Sequence, residues 1–567
     1  MAKISLRVKT LKVISIILVM LVLIAGCGQN TPSTPQKTPA TGNENVNTNA
    51  EKIIRMGVAG TPKIDPAVAT DAASVLAMVN IYDSLVYPNE DGTLRPQLAE
   101  RWEISDNSLE YTFFLRKGVK FHNGDEMKAS DVEYSANRLI TIGEGFAYMF
   151  KNTIKNIEVI DDYTIKFTLN NQFGPFLNTL IRLYILDEDQ VKANTNSTGN
   201  YGENGDYGRD WLLTHDAGSG PYTVTELKQQ QHVIAVKFED YWSGWDNADA
   251  PDTIRLVDSS EPATTRTMIE NRELEITDEY QSVENISAMS KIPGVSVGIY
   301  SSGGVQNMMY NNKKAPTDDV NFRKALNYML DYNMVSEKVF VDSPVAVGPV
   351  AAGVPGSNLN LEKFEYNIDK AKEFLAKSKY AGKLDQYPVE FLINSTVPDQ
   401  EKIALALQAT AQQLGVKVEI SKGPWLSIVE QVANLESTPN ILCTTVSPSY
   451  FDAGSMLMSR YHSNSTGSWE QGEWLQDEKF DKMLEEAMKI VDSNERYEEY
   501  YKIQKYLVND VTPSGWLVDL VKRCVYQSDY VYWPAAESAK EGKIVTLPLG
   551  YSLNFSEFKV YPEKINK

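Results

Sequence analysis

The sequence predicts a mixed α/β protein of at least two lobes, and three observations carry that prediction. The first 300 or so residues are rich in alternating, strand-like segments, and the following 220 or so alternate strand with helix. About 515 residues follow the N-terminal 50, too many for one small core and enough for two or three domains. An apolar content of 42% with 10% aromatics is that of a globular protein rather than a disordered one. No repeat of 20 to 50 residues stands out, which leaves solenoids and propellers without support.

At the N-terminus, Lys3, Arg7, Lys9 and Lys12 precede an uncharged stretch, Val13 to Ala25, that ends in the small pair Ala25-Gly26. This is the pattern of a secretory signal. As a helix the stretch rises only about 20 Å against a hydrocarbon core of about 30 Å, so a spanning helix is disfavoured. Ile24-Ala25-Gly26-Cys27 resembles the lipobox of bacterial lipoproteins. The resemblance implies that residues 1–26 are removed and that Cys27 is lipidated as the mature N-terminus, an anchor that holds stably once two or more acyl chains are attached. Residues 27–50, dominated by Thr, Pro, Asn and Gln, read as a disordered tether, with the folded part starting near Glu51.

Removing residues 1–26 takes away four positive charges and no negative ones, moving the formal net charge from -20 to -24. That field repels phosphates and no long Lys/Arg cluster offsets it, so nucleic acid is excluded as a partner. Beyond Cys27 only Cys443 and Cys524 remain, too few for a disulfide scaffold or a cysteine-based zinc cluster. One disulfide or two separate buried thiols both fit. The histidines, His122, His215, His232 and His462, show no HExxH spacing. The sequence therefore predicts no resident metal and no cofactor, leaving open a histidine that meets a metal carried by the ligand.

The elements follow from two periods. In "DDYTIKFTLN", Ile165, Phe167 and Leu169 alternate with Lys166, Thr168 and Asn170, a strand buried on one face. "LEYTFFLRKG" places Tyr111, Phe113 and Leu115 together, and "HVIAVKF" places Ile234, Val236 and Phe238 together. Further on, Phe322, Ala325, Leu326, Met329 and Leu330 fall at i, i+3, i+4, i+7 and i+8, with Asp318 or Asp319 placed to cap the helix. Phe480, Met483, Leu484, Ala487, Met488 and Val491 repeat that spacing. Between the two, "YPVEFLINST" and "VKVEISKG" flank a helix over Gln400 to Leu414, a strand-helix-strand unit.

Residues 94–139, "LRPQLAERWEISDNSLEYTFFLRKGVKFHNGDEMKASDVEYSANRL", resemble the signature region of the extracellular solute-binding proteins of the oligopeptide/dipeptide/nickel type, family 5. The resemblance continues in order through "GSGPYTVTEL" (218–227), "DYW" (240–242), "NKKAPTDDVNFRKALNYMLD" (312–331), "YNIDKAKEFLAKSKY" (366–380) and "FDKMLEEAMKIVDSNERYEEYYKIQKYLVND" (480–510). It implies a three-domain, class C periplasmic-binding-protein-like fold: two main lobes joined by a hinge, plus an extra small domain. The implied division is domain I at 51–92, 216–306 and 527–567, domain II at 93–215, and domain III at 307–526. It also implies an extracytoplasmic monomer that closes over a small solute and hands it to the permease of an ABC transporter. Closure requires that the ligand make better contacts in the closed state.

One stretch departs from the peptide-binding pattern, in which a tryptophan and an aspartate follow the third-domain strand and the aspartate pairs with the peptide α-amino group. In "CTTVSPSYFDAGSML", aligned on Tyr450 and Leu457, Val446 stands at the tryptophan position and Ser449 at the acidic one. A hydroxyl cannot supply the charge-assisted bond that a buried ammonium needs. Asp452 is either a substitute carboxylate or a loop-capping residue. Trp425 matches a cleft-lining tryptophan of the family, and Trp469, Trp474 and Trp516 are either further aromatic surface or core. Aromatic faces with Ser447 and Ser449 suit neutral hydroxyls as well as peptides. The expected ligand set is thus Trp425, Ser447, Ser449, Tyr450 and Asp452, with an oligopeptide as the first reading and an oligosaccharide as the second.

Catalysis is not expected. "GVSVG" (294–298) fits G-x-S-x-G formally, but Val295 and Val297 alternate as in a strand and no helix follows to form the nucleophile elbow. "GSGP" (218–221) lacks the lysine and helix of a phosphate loop. A lipid-anchored ligand sensor on the same fold is the alternative use.

Overall fold

The computed structural model describes residues 51–259 and 261–565. The expected signal (1–26), the expected lipidation site Cys27 and the expected tether (27–50) lie outside the described residues. The principal strands in chain order are β1 (Ile53–Val58), β2 (Ala99–Ile104), β3 (Glu110–Leu115), β4 (Ile154–Asp161), β5 (Thr164–Leu169), β6 (Tyr222–Lys228), β7 (His232–Lys237), β8 (Thr253–Asp258), β9 (Ser296–Tyr310), β10 (Val389–Asn394), β11 (Val418–Gly423), β12 (Ile441–Val446) and β13 (Ser514–Tyr526). They build three sheets, ordered β1-β8-β7-β6, β2-β3-β5-β4 and β11-β10-β12-β9-β13.

In β5, Ile165, Phe167 and Leu169 are buried and the intervening residues half-buried; β3 buries Tyr111, Phe113 and Leu115 in the same way. Strand β7 departs from expectation. Its buried residues are His232, Val233 and Ala235, while Ile234 and Val236 are half-buried and Phe238 lies past the strand end. Helix α1 (Ala72–Ile81), capped by Asp71, lies against β6.

Helix α2 (Val320–Tyr328) starts where Asp319 accepts a 2.9 Å bond from the Phe322 N–H, and Phe322, Ala325 and Leu326 are buried with Met329 and Leu330 just beyond. Helix α3 (Pro398–Gln413) connects β10 to β11, which pair in parallel, completing the strand-helix-strand unit. Helix α4 (Trp425–Val432) follows β11, and α5 (Ala453–Tyr461) follows β12. Helix α6 (Glu478–Ala487) buries Phe480, Leu484 and Ala487, and Met488 just past its end; Val491 falls beyond the helix and is half-buried. Helix α7 is Ser493–Tyr506.

The longest strands, β9 and β13, pair antiparallel and run from one hydrophobic core into others. At one end Tyr300 and Tyr526 meet the Trp533 ring edge-on, at 5.5 and 5.7 Å. At the other, Met308 and Tyr310 pack with Leu517, Val518 and Leu326. Between these ends the register shifts at Ser301/Gly304, opposite Leu520 and Val521. Gly303 sits in the shift at φ +77°, where a Cβ would lie 2.5 Å from Val354 Cγ2, so only glycine fits. Such a bulge interrupts the ladder and sharpens the local twist.

Cys443 on β12 and Cys524 on β13 are separate, buried, free thiols, and burial pushes the Cys443 thiol up to about 12. Among the described residues no helix is long and apolar enough to cross a membrane, and no group of three or more His, Cys, Asp or Glu could hold a metal.

Candidate functional site

Strands β10, β11 and β12 run parallel, with β10 between the other two. Their C-terminal ends therefore share one edge, and the chain leaves β10 toward one side while β12 lies on the other, the arrangement that opens a crevice in an α/β sheet. That edge presents Asn394, Trp425 and Ser447 to Ser449. The side-chain alternation of β12 continues beyond its end: Thr445, Ser447 and Ser449 are half-buried, while Val446, Pro448 and Tyr450 are buried. Ser447 lies against the register shift of β9, since a Cβ on Gly304 would come within 2.7 Å of its Oγ.

The opposite wall holds a cavity of about 90 Å³ at the C-terminal end of β1, lined by Val58, Ala59, Asp278, Glu279, Tyr300 and Leu549 among others. Glu279 accepts from the Tyr300 hydroxyl at 3.0 Å and is ion-paired with Lys522. Asp278 accepts from the Tyr280 N–H at 2.7 Å and from Gln281, and burial still raises its pKa above the usual carboxylate value.

Arg182 joins the two walls. Its Nε donates to the Ser449 carbonyl and its Nη1 to the Leu549 carbonyl, each at 3.1 Å, and the guanidinium lies 5.1 Å from the Phe146 ring centroid. The side chain is 1% exposed, and no carboxylate among the described residues lies within ion-pairing distance of it. A single buried cation thus fixes Ser449 beside Leu549, placing the cavity next to the end of β12.

Tyr148 and Tyr280 are among the most exposed large side chains, at 60% and 67%. Burial nevertheless pushes the Tyr148 phenol up to about 12, with Ser449 opposing the shift and the Glu470 charge adding to it. The Tyr280 phenol is raised first by Glu279 and then by burial. Glu470 belongs to the same group. It is half-buried, its pKa is raised by desolvation, and no cation among the described residues lies within ion-pairing distance. Its neighbour Trp469 meets Trp425 edge-on, ring centroids 5.0 Å apart.

The structure separates the expected ligand set into two groups. Trp425, Ser447 and Ser449 are half-buried along the crevice edge. Tyr450 and Asp452 point inward and correct the expectation for those two. Tyr450 is 7% exposed, edge-on to Phe173 at 6.3 Å in the hydrophobic core. Asp452 is fully buried: Oδ1 accepts from the Gly454 N–H at 2.8 Å, capping α5, and Oδ2 accepts from Arg496 Nη2 at 2.9 Å and Nε at 3.2 Å. Both carboxylate oxygens are engaged by the protein, so the capping role holds and no group is left for a ligand. Trp516 is also core, donating to the Tyr461 hydroxyl at 2.9 Å, and Trp474 donates to Thr438 at 2.8 Å. Arg182, Tyr148 and Glu470 were not reached from the sequence. The only signal for Glu470 was its place beside a tryptophan in "SWEQGEW".

Comparison with known proteins follows this geometry. The description "Bacterial extracellular solute-binding proteins, family 5 Middle" matches residues 93–468. A protein of Escherichia coli (strain K12), "Probable D,D-dipeptide-binding periplasmic protein DdpA", is 28% identical over 466 residues, covering 80% of this chain and 86% of the relative. "Heme-binding protein A" of Haemophilus influenzae is 28% identical over 462 residues, covering 76% and 80%. Among solved structures, the periplasmic binding protein DppA of Helicobacter pylori in complex with the peptide STSA superposes with a TM-score of 0.71 at 23% identity, covering 90% of this chain and 98% of that one.

Proposed function

Since the chain belongs to the bacterial extracellular solute-binding proteins, family 5, and is therefore a binding protein rather than an enzyme, we propose that it captures an oligopeptide between its lobes and delivers it to an ABC permease. The fold is the multi-domain, lobed α/β architecture of periplasmic binding proteins.

The observation that carries the peptide reading is Glu470. Ser449 offers no charge, but the Glu470 carboxylate, desolvated and only partly compensated by Ser459 and the Arg460 charge, stands within electrostatic reach of the same Tyr148 phenol that Ser449 acts on. An ammonium placed there would satisfy a charge that otherwise costs free energy to bury. Trp425 and Trp469 supply aromatic surface for side chains, and Ser447 and Ser449 supply hydroxyls. The domain division given above, with closure about the bulge in β9 and β13, is part of the proposal, as are the monomeric state and an anchor through lipidated Cys27. An oligosaccharide remains the second reading, favoured by the same tryptophan pair and hydroxyls. A lipid-anchored sensor is the alternative use of either ligand.

Calorimetric titration of the full-length protein with tetrapeptides, their N-acetylated forms and neutral oligosaccharides tests this. The expected result is peptide binding that weakens about 10- to 100-fold on N-acetylation or in Glu470→Gln, the loss of one charge-assisted contact. Glycan binding that is indifferent to Glu470→Gln would overturn the peptide reading.

A further inference from the structure

A second cavity, of about 380 Å³, shares no lining residue with the cavity at the end of β1. Its walls come from three stretches of chain, around Tyr87 to Gln97, Tyr241 to Asn247 and Asn554 to Glu557, closed by Arg116. The volume is that of a small-molecule site.

Its aromatic wall is held rigidly from behind. Asp83, 1% exposed, accepts from Trp242 Nε1 at 2.7 Å, Gln97 Nε2 at 2.6 Å and the Tyr241 hydroxyl at 3.3 Å. Trp245 is fixed by a 2.9 Å bond from its Nε1 to the Phe238 carbonyl. All three rings are half-buried, so each is anchored on one side and reachable on the other.

Cations are stacked on this wall. The Arg116 guanidinium carbon lies 4.9 Å from the Trp242 ring centroid, and Nε donates to the Gln97 carbonyl at 2.6 Å. Its terminal nitrogens have no acceptor among the described residues, and no carboxylate lies within ion-pairing distance of them. Arg95 stacks on Tyr87 at 4.1 Å, and its contacts with Asn89 at 3.5 Å and Glu557 at 4.0 Å are long. Within a chain of strongly negative net charge, the two guanidiniums of Arg95 and Arg116 here balance the two acids of the lining, and Arg116 keeps a free donor edge. Asp246 and Glu557 complete the lining, Glu557 held only by the long 4.0 Å contact with Arg95.

We propose that this cavity is a second binding site, separate from the cleft, for a small carboxylate whose body carries hydroxyl or ammonium donors. The free edge of Arg116 takes the carboxylate in a forked pair, which a planar guanidinium does and an ammonium does not. The body lies along Trp242, Tyr241 and Trp245, and its donors face Asp246 and Glu557. Because the wall is already fixed by Asp83, little ordering is needed on binding. The acids opposite would repel a second negative charge, so the site selects singly charged molecules.

The test is calorimetric titration of the full-length protein with D-glucuronate, L-threonine, D-glucose and inorganic phosphate, using wild type, Arg116→Met and Arg116→Lys. The expected result is saturable binding of D-glucuronate or L-threonine, weakened about tenfold or more in both variants, with peptide binding in the cleft unchanged. Arg116→Lys keeps the charge and the aliphatic stem, so a folding defect confined to Arg116→Met does not decide the outcome. Absence of saturable binding of either carboxylate at about 10 mM, equal affinity in wild type and Arg116→Lys, binding of D-glucose as tight as D-glucuronate, or binding of phosphate alone would each overturn the proposal.

Discussion

Replacing Asp452 by alanine separates a structural carboxylate from a ligand-binding one. The variant leaves the Arg496 guanidinium, which bonded Oδ2 at 2.9 and 3.2 Å, buried without its anion. Removing one member of a buried pair costs about 3–5 kcal/mol. Losing the 2.8 Å cap to Gly454 adds about 1 kcal/mol. The expected loss is therefore about 4–6 kcal/mol, a fall in Tm on the order of 10 °C or more for domains of this size. Differential scanning calorimetry reads the loss, and titration at a temperature where the variant is still folded reads affinity, which should be unchanged. Asp452→Leu combined with Arg496→Met should recover much of the stability, since apolar replacement of a whole buried pair is often neutral or better. Full stability of Asp452→Ala with abolished binding would refute the reasoning, because it would mean that the carboxylate faces the ligand.

Three further outcomes are expected. Asp519, on β13 beside the register shift, is pushed up to about 7 by burial; it accepts from the Ala352 N–H at 3.0 Å, and its other oxygen has no partner. Its folded value exceeds the value of about 3.9 in an unfolded chain, so the native state holds the extra proton and stability falls as pH rises from about 4 to 7. Asp519→Asn should flatten that slope and raise Tm relative to wild type at pH 8 but not at pH 4, and an unchanged slope in thermal melts would count against it. Arg182→Met removes two charge-assisted bonds to the Ser449 and Leu549 carbonyls and should cost about 2–4 kcal/mol in urea unfolding, together with a loss of ligand affinity; a neutral result would mean that the two walls are held by other contacts. Trp425→Ala should weaken ligand binding about tenfold while Trp425→Phe is tolerated, as titration would show, because the ring meets Trp469 only edge-on.

What could be read from the sequence followed the range of the interactions. Period-two and period-3.6 patterns located β3, β5, α2 and α6 because each buries one face against whatever lies beside it. Strand β7 was placed, but its buried face was missed, since both faces carry apolar residues, Val233 and Ala235 on one and Ile234 and Val236 on the other, and alternation alone does not choose between them. Within the site, the alternation in "TTVSPSY" already distinguishes Ser447 and Ser449 from Tyr450, although alignment to the peptide-binding pattern grouped them together. Asp452 followed the common rule that an Asp before a helix caps it, and the sequence carried no sign that Arg496, 44 residues on, would take its second oxygen. Arg182 and Tyr148 join the candidate site only through contacts with segments some 270 to 370 residues away, to which no local pattern points.

The central claim is that a ligand draws two lobes together about β9 and β13. Glu284, in the helix Val283–Met289, and Lys402 on α3 lie close enough for their charges to interact, although the Lys402 pKa is raised chiefly by its bond to Asp399. Spin labels at Glu284→Cys and Lys402→Cys, in a Cys27→Ser background where the remaining thiols are buried, report the gap directly by electron–electron resonance. The account predicts a single short distance with ligand bound and a longer, broader distribution without it. Identical distributions in the two conditions would contradict it.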